Sequence, residues 1–288
     1  MGCKLCPRLC NADREHGKKG ACGADGEIRI ARVAPHYWEE PCISGKNGSG
    51  AVFFAGCPLG CVFCQNARIS HGGVGKTYTV EQLAEAFVSL QSKGVHNINL
   101  VTPTHYVPQI VSALDIAKPS IPVVYNTGGY DRAETLDLLG ERVKIFLPDY
   151  KYFSPKLALK YSHAEDYPEV ALKAIEKMLD IAGSPTFDSD GMMKSGVIVR
   201  HLVLPGCTDD SMKALRTLRE RFGSSIMVSV MNQYTPVKDV PYEQLQRPIS
   251  DDEYELVLDY ADHLGIDCGF RQDGGTVSES FIPDFDEN

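Results

Sequence analysis

No stretch of the 288-residue sequence approaches the roughly 18–20 consecutive apolar residues that a bilayer-spanning helix requires. The first residues, Met1-Gly2-Cys3-Lys4, also lack the apolar core of a secretory signal. The expectation is a cytoplasmic protein with no membrane partner. Positive charge is scarce: 29 Lys and Arg against 38 Asp and Glu leave a formal net charge of −9. An overall electrostatic footprint for a phosphate backbone is therefore missing, which argues against a nucleic-acid partner. The scarcity is uneven, since Lys4, Arg8, Arg14, Lys18 and Lys19 make the N-terminus the most basic part of the chain. There is no low-complexity segment. The apolar fraction of 43% is ordinary for a chain that buries a sizeable core.

What the chain does have is cysteine, ten in all. In a reducing compartment, metals explain so many thiols better than disulfides do. Cys42, Cys207 and Cys268 stand alone and read as inert core thiols. The other seven fall in two groups. Ala51-Val52-Phe53-Phe54-Ala55-Gly56 reads as a buried strand, which puts Cys57-Pro58-Leu59-Gly60-Cys61-Val62-Phe63-Cys64 in the loop at its C-terminal end. Three thiolates in so tight a loop can face one metal centre. A structural zinc ion needs a fourth ligand, such as His71. A 4Fe–4S cluster held by three cysteines instead keeps one iron open. The second group is Cys3, Cys6, Cys10 and Cys22, with Gly17, Gly20 and Gly23 easing the turns. A segment too small for a core of its own implies a bound metal, either zinc or an auxiliary iron–sulfur cluster.

Beyond the cysteine loop, helical and strand patterns alternate. Helices are expected near 79–93 (capped by Thr79), 106–116, 131–140, 154–161, 166–182, 209–222 and 250–264. Between them lie apolar strands at 97–101, 121–125, 143–147, 196–203 and 225–231. With the strand before the cysteines these make six β/α units, too few for a closed eightfold barrel. Residues 183–195 read as a polar loop, and 276–288 as an extension lying across the body. Functional groups of parallel β/α barrels collect at the strands' C-terminal ends. Here those ends carry Thr102-Pro103-Thr104-His105, Asn126-Thr127-Gly128-Gly129, Asp149-Tyr150-Lys151, Arg200-His201 and Asn232-Gln233-Tyr234.

The cysteine loop, with Phe63 immediately before its third cysteine, resembles the signature of the radical S-adenosylmethionine (radical SAM) enzymes. Over about residues 50–235 the chain is similar to the activating enzymes of glycyl-radical proteins, such as the pyruvate formate-lyase activating enzyme. The resemblance implies an α/β fold: a partial (β/α)6 TIM-like barrel over 49–288, carrying a small Cys-rich metal-binding extension over 1–48. An open doubly wound sheet is the alternative. It implies an oxidoreductase in which Cys57, Cys61 and Cys64 hold a 4Fe–4S cluster. S-adenosylmethionine would chelate the open iron and be cleaved reductively to a 5′-deoxyadenosyl radical. A reductant such as flavodoxin or ferredoxin would supply the electron. Asp149 and Lys151 would hold the SAM carboxylate, Arg200 would lie near SAM, Asn126 would meet the ribose and Phe63 would cover the adenine. Thr102 and Thr104 stand where the family has Gly-Gly-Glu facing the SAM amine, a departure that leaves no carboxylate there. The implied substrate is a glycyl residue of a partner protein; a small molecule or another peptide is the alternative. A non-catalytic iron–sulfur electron-transfer protein is the rival from another class.

Overall fold

The computed structural model describes residues 2–71, 74–238, 240–266 and 269–271. Cys268 and the extension expected over 276–288 lie outside the described residues. After an N-terminal segment of turns come β1 (Ile28–His36), α1 (Pro41–Ser44), β2 (Ser49–Phe54), α2 (Ala67–Ser70) and β3 (Lys76–Tyr78). Alternation follows through α3 (Val80–Ser92), β4 (Ile98–Val101), α4 (Val107–Ala117), β5 (Val123–Thr127), α5 (Ala133–Leu136) and β6 (Ile145–Pro148). Next come α6 (Pro155–Ser162), α7 (Tyr167–Ala182), β7 (Thr186–Phe187) and β8 (Met193–Leu202). The last elements are α8 (Thr208–Phe222), β9 (Met227–Met231), α9 (Asp251–His263) and β10 (Gly269–Arg271).

All six expected β/α strands lie side by side. The sheet order is β10-β9-β8-β6-β5-β4-β2-β1-β3, and β2 through β9 pair in parallel along it. β10 adds one more parallel strand beside β9. The path does not close on itself, as a partial barrel requires. β2, β5 and β6 are buried at every position, which is why they read as unbroken apolar runs rather than alternating ones. α3 begins at the expected Thr79, in a reciprocal capping box with Gln82, and buries Leu83, Ala84, Phe87 and Leu90.

Three places differ from the sequence reading. The helix expected over 131–140 is a single turn, Ala133–Leu136, followed by a 3-10 turn at Gly140–Arg142. Contacts to the N-terminal segment hold it: the Thr135 hydroxyl donates to the Leu5 carbonyl (2.8 Å) and Arg132 to the Lys4 carbonyl (2.6 Å). The stretch 183–195 is no open loop. Thr186 pairs with Ser195 and Phe187 with Met193, around a turn in which the Asp188 carboxylate accepts from the Asp190 and Met192 amides. Finally, β1 pairs antiparallel with β2 from Ile30↔Phe54 to His36↔Ser49. Residues 28–36, on the N-terminal side of the boundary drawn at 48, thus extend the barrel sheet. The next residues, Trp38 to Pro41, line the barrel's cavity.

Candidate active site

The loop after β2 needs glycine at its start. Gly56 has φ +88°, and a Cβ there would stand 2.7 Å from the Cys22 carbonyl oxygen and 3.1 Å from His105 Nε2. Cys61 is buried, and Cys57 and Cys64 are half-buried. Each sulfur accepts a hydrogen bond: Cys57 Sγ from the Leu59 amide (3.4 Å), Cys61 Sγ from the Ser162 hydroxyl (3.0 Å) and Cys64 Sγ from the Ser70 hydroxyl (3.4 Å). Burial of the sulfur, then the neighbouring thiols Cys61 and Cys64, pushes the Cys57 thiol up to about 12. Burial likewise pushes Cys61 to about 11, although the Lys151 ammonium opposes the rise. Three thiols that repel one another as thiolates call for a cationic core to hold them ionised. Three sulfurs, each with one donor aimed at it, are the donor set of a cluster that keeps one position open, and these are the residues that would hold it. His71, the alternative fourth ligand of a zinc site, is exposed at the end of α2 and does not line the cavity beside the cysteines.

That cavity, about 540 Å³, runs through the barrel interior from the cysteine loop to Trp38, Glu39 and Glu40. Phe63, Thr102, Asn126, Asp149, Lys151 and Arg200 all line it. Asp149 Oδ2 meets Lys151 Nζ at 2.5 Å, and Asp149 Oδ1 accepts from Arg200 Nε at 3.0 Å. Arg200 also donates to Asn126 Oδ1 (2.6 Å) and to Glu39 Oε2 (3.2 Å). Burial would raise the Asp149 carboxyl, but Lys151 and Arg200 together hold it below the usual carboxylate range. Burial would lower Lys151, yet Asp149 and then Cys61 hold it above its ordinary value. Phe63 is buried with edge-to-face contacts to Tyr152 and Tyr234 at 6.4 and 6.1 Å between ring centres, so packing fixes it at the cavity wall. Thr102 sits at φ +58°, a left-handed conformation rare for a β-branched residue, at the end of β4 where the family resemblance has glycine.

Thr104 departs from its expected place. Its hydroxyl donates to Asp131 Oδ1 (2.7 Å), beside Tyr125 (2.8 Å) and Thr127 (2.5 Å) on the same carboxylate, and it does not line the cavity. The buried Asp131 carboxylate thus takes three hydroxyl donors, Thr104 among them.

Glu39 and Glu40 were not among the residues singled out from sequence. Glu39 Oε1 accepts from Asn99 (2.9 Å) and Asn126 (3.1 Å), so it supports both Asn126 and Arg200. An acidic pair ahead of Pro41 was the only signal. Glu40 is buried, and its Oε2 has no hydrogen-bond partner among the described residues. Burial raises its carboxyl, Arg200 opposes the rise and Glu39 adds to it. A raised folded-state value stabilises the chain below the unfolded value and loses that stabilisation as pH rises. Glu40→Gln should therefore stabilise the protein increasingly above about pH 4.5, by up to ~1.4 kcal/mol per pH unit. Urea midpoints of both proteins at pH 5 and pH 8 check this; parallel midpoints would show that Glu40 ionises normally.

The four N-terminal cysteines form a knuckle against this site. Cys6 and Cys22 are buried, Cys3 is half-buried and Cys10 is exposed. A Cβ on Gly20 would lie 3.3 Å from Cys10 Sγ and 3.5 Å from Cys22 Sγ, so this glycine leaves room for both sulfurs. Burial pushes Cys6 up to about 11, with Cys22, Cys3 and Cys10 each contributing. As placed, no group of three or more His, Cys, Asp or Glu side chains among the described residues could hold a metal ion, here or at Cys57, Cys61 and Cys64. Arg8 ties the knuckle to the cysteine loop by donating to the carbonyls of Pro58 (2.8 Å) and Leu59 (3.1 Å), and on to Ser162 (3.0 Å).

An open parallel barrel with three thiols at the end of its first parallel strand defines a class. The model of the radical SAM superfamily matches residues 51–219, and the chain belongs to that superfamily. Membership implies radical chemistry on S-adenosylmethionine with a 4Fe–4S cluster as cofactor. Among relatives, it is 26% identical over 275 residues to the uncharacterized protein MJ0674 of Methanocaldococcus jannaschii, covering 92% of this chain and 75% of that one. The fold is similar to SuiB of Streptococcus suis bound to S-adenosylmethionine (TM-score 0.54, 13% identity, 79% of this chain and 50% of that one). It is equally similar to SuiB bound to the precursor peptide SuiA (TM-score 0.54, 13% identity, 76% and 47%). The chain spans about half the length of the SuiB structures. Among the described residues no helix is long and apolar enough to cross a membrane.

Proposed function

We propose that this protein cleaves S-adenosylmethionine reductively and uses the resulting radical to take a hydrogen atom from a polypeptide. The observation that carries the reading is the cavity shared by the thiols of Cys57, Cys61 and Cys64 and the buried set Asp149, Lys151, Arg200 and Asn126. Cys57, Cys61 and Cys64 would hold the cluster, which would supply the one electron that splits bound SAM into methionine and a 5′-deoxyadenosyl radical. The chain's own residues bind and orient. Lys151, whose positive charge opposes the rise of the Cys61 thiol, offers its ammonium to the SAM carboxylate. Asp149 fixes Lys151 and Arg200 in place, and Asn126 can donate to and accept from ribose hydroxyls. Phe63 forms part of the wall beside the adenine. Glu39 positions Arg200 and Asn126 from the far side.

The polypeptide substrate is supported by the open sheet path, which leaves the barrel without a closing strand pair. It is also supported by the fold's likeness to SuiB, which has been solved with a precursor peptide. A glycyl residue of a partner protein is the target to which the resemblance of Asp149-Tyr150-Lys151 points. The discriminating experiment supplies candidate partner proteins carrying α-deuterated glycine and follows deuterium into 5′-deoxyadenosine. Label arriving from the protein supports the reading. Label arriving only from a deuterated small-molecule pool would replace it with a small-molecule substrate.

A further inference from the structure

The hydrogen bond from Ser162 to Cys61 is the shortest of the three that reach the cysteine sulfurs, 3.0 Å against 3.4 Å for each of the others. Its donor is itself hydrogen-bonded: Ser162 Oγ lies 2.8 Å from the Tyr152 hydroxyl. Both side chains are buried. A cysteine that holds a metal is a thiolate and can only accept. Ser162 has one hydroxyl proton to give, so once that proton points at sulfur, Tyr152 must donate to Ser162. The result is a donor line, Tyr152 to Ser162 to Cys61, in which each bond polarises the next. Its place does not depend on the sulfur alone. The Val62 amide donates to the Tyr161 carbonyl (2.9 Å), which sets the end of α6 beside the cysteine loop. Arg8 closes the same seam from the N-terminal segment. It donates to the Pro58 (2.8 Å) and Leu59 (3.1 Å) carbonyls on the loop, and to the Ser162 (3.0 Å) and His163 carbonyls at the end of α6. Its guanidinium also lies 5.2 Å from the centre of the Tyr130 ring. One arginine thus holds Ser162 and the Cys61 loop together.

We propose that Tyr152 and Ser162 set the reduction potential of the cluster that Cys57, Cys61 and Cys64 would hold, and that Arg8 is the positioning residue that keeps their hydrogen bond on Cys61. The proposal rests on the SAM-cleavage reading above and adds to it the residues that decide how readily the site takes up its electron. Reduction adds one electron, supplied from outside by a one-electron reductant such as dithionite, and part of the added negative charge falls on the ligand sulfurs. No covalent bond forms or breaks, and Tyr152 and Ser162 keep their protons. A donor aimed at a ligand sulfur stabilises the reduced form more than the oxidised one and so raises the potential. Burial of Ser162 and Tyr152 strengthens the effect, because a hydrogen bond in a low dielectric is electrostatically stronger than one in water. The positive charge of Lys151, which also bears on Cys61, works in the same direction.

The test uses the full chain, reconstituted anaerobically with iron and sulfide and titrated with dithionite in the absence of SAM. Electron paramagnetic resonance reads the reduced cluster against potential. In Ser162→Ala the ratio of reduced to oxidised cluster at a fixed potential should fall roughly tenfold, a downward shift of about 59 mV for one electron. Tyr152→Phe leaves Ser162 in place and should lower the ratio roughly twofold, since it weakens the bond to sulfur without removing it. Arg8→Met should lower the ratio too. Added to Ser162→Ala it should lower it no further, because both act through one hydrogen bond. Midpoints of Ser162→Ala and Tyr152→Phe equal to wild type would overturn the proposal, as would full additivity of Arg8→Met and Ser162→Ala. Loss of iron from Ser162→Ala with an unmoved Tyr152→Phe midpoint would also overturn it, by making Ser162 a support of the loop. Shifted midpoints with no 5′-deoxyadenosine from the wild type would contradict SAM cleavage alone. Unmoved midpoints with 5′-deoxyadenosine still formed would overturn the donor line alone.

Discussion

Cys57→Ala is expected to abolish 5′-deoxyadenosine formation and to strip the cluster from the barrel. Its loop offers three thiolates, and the fourth position of the cluster must stay open for SAM, so removing one leaves two ligands and no replacement. His71 is exposed and does not line the cavity. The substitution should leave the metal-free fold almost intact. Cys57 Sγ accepts one long hydrogen bond, from Leu59 at 3.4 Å, and its thiol, pushed up to about 12, is neutral before metal binds. Cys42→Ala is the informative contrast. Cys42 is buried in the core cluster with Ile43, Val124 and Ile145. Its loss should cost about 1 kcal/mol or more of stability through the small cavity left behind, with iron content unchanged. Iron analysis and urea unfolding of the two variants separate a ligand from a core thiol. Equal iron in Cys57→Ala and wild type would remove Cys57 from the site.

Arg200→Ala is expected to have the largest effect on stability, about 3 kcal/mol or more, as removing one partner from a buried ionic network does. Arg200 makes three charge-assisted or amide contacts, and its side chain is only 15% exposed, beside Asp149 at 15% and Glu39 at 9%. Its removal leaves Glu39 with only amide donors, Asn99 and Asn126, and leaves Asp149 with Lys151 alone. Arg200→Lys should recover part of the stability but not SAM binding, because an ammonium cannot replace a planar fork that reaches three acceptors. Pairing Arg200→Met with Glu39→Gln should recover more than Arg200→Met alone, since both buried charges then leave together. The pH profile carries a second signature. Asp149 has a depressed folded-state value, so its stabilisation is present above the unfolded value near 3.8 and is lost as pH falls below it. The acid limb of the stability curve should be shallower in Arg200→Ala than in the wild type. A urea midpoint for Arg200→Ala within error of wild type would show that the network contributes nothing.

The parts legible from sequence share a physical cause. Strands buried on both faces must be apolar throughout, so β2, β5 and β6 announced themselves, and a capping residue such as Thr79 marks its helix locally. The cysteine loop was legible because three ligands lie within eight residues. Glu39 and Glu40 were not, because no local pattern says where a linker goes: antiparallel pairing of β1 with β2 and the turn at Pro41 carry them to the cavity. The bond from Thr104 to Asp131 was not legible, because Tyr125, Thr127 and Thr104 assemble around that buried carboxylate only after folding. The helix expected over 131–140 gave way to contacts with Lys4 and Leu5, more than a hundred residues earlier in the chain.

The central claim is that the thiols of Cys57, Cys61 and Cys64 support reductive cleavage of S-adenosylmethionine. The direct measurement is anaerobic reconstitution of the full chain, reduction with dithionite, addition of SAM and quantification of 5′-deoxyadenosine and methionine. The expected result is both products in equal amounts, with none from Cys57→Ala. Intact SAM after incubation with a cluster-loaded, reduced wild-type sample, with candidate substrates present, would contradict it.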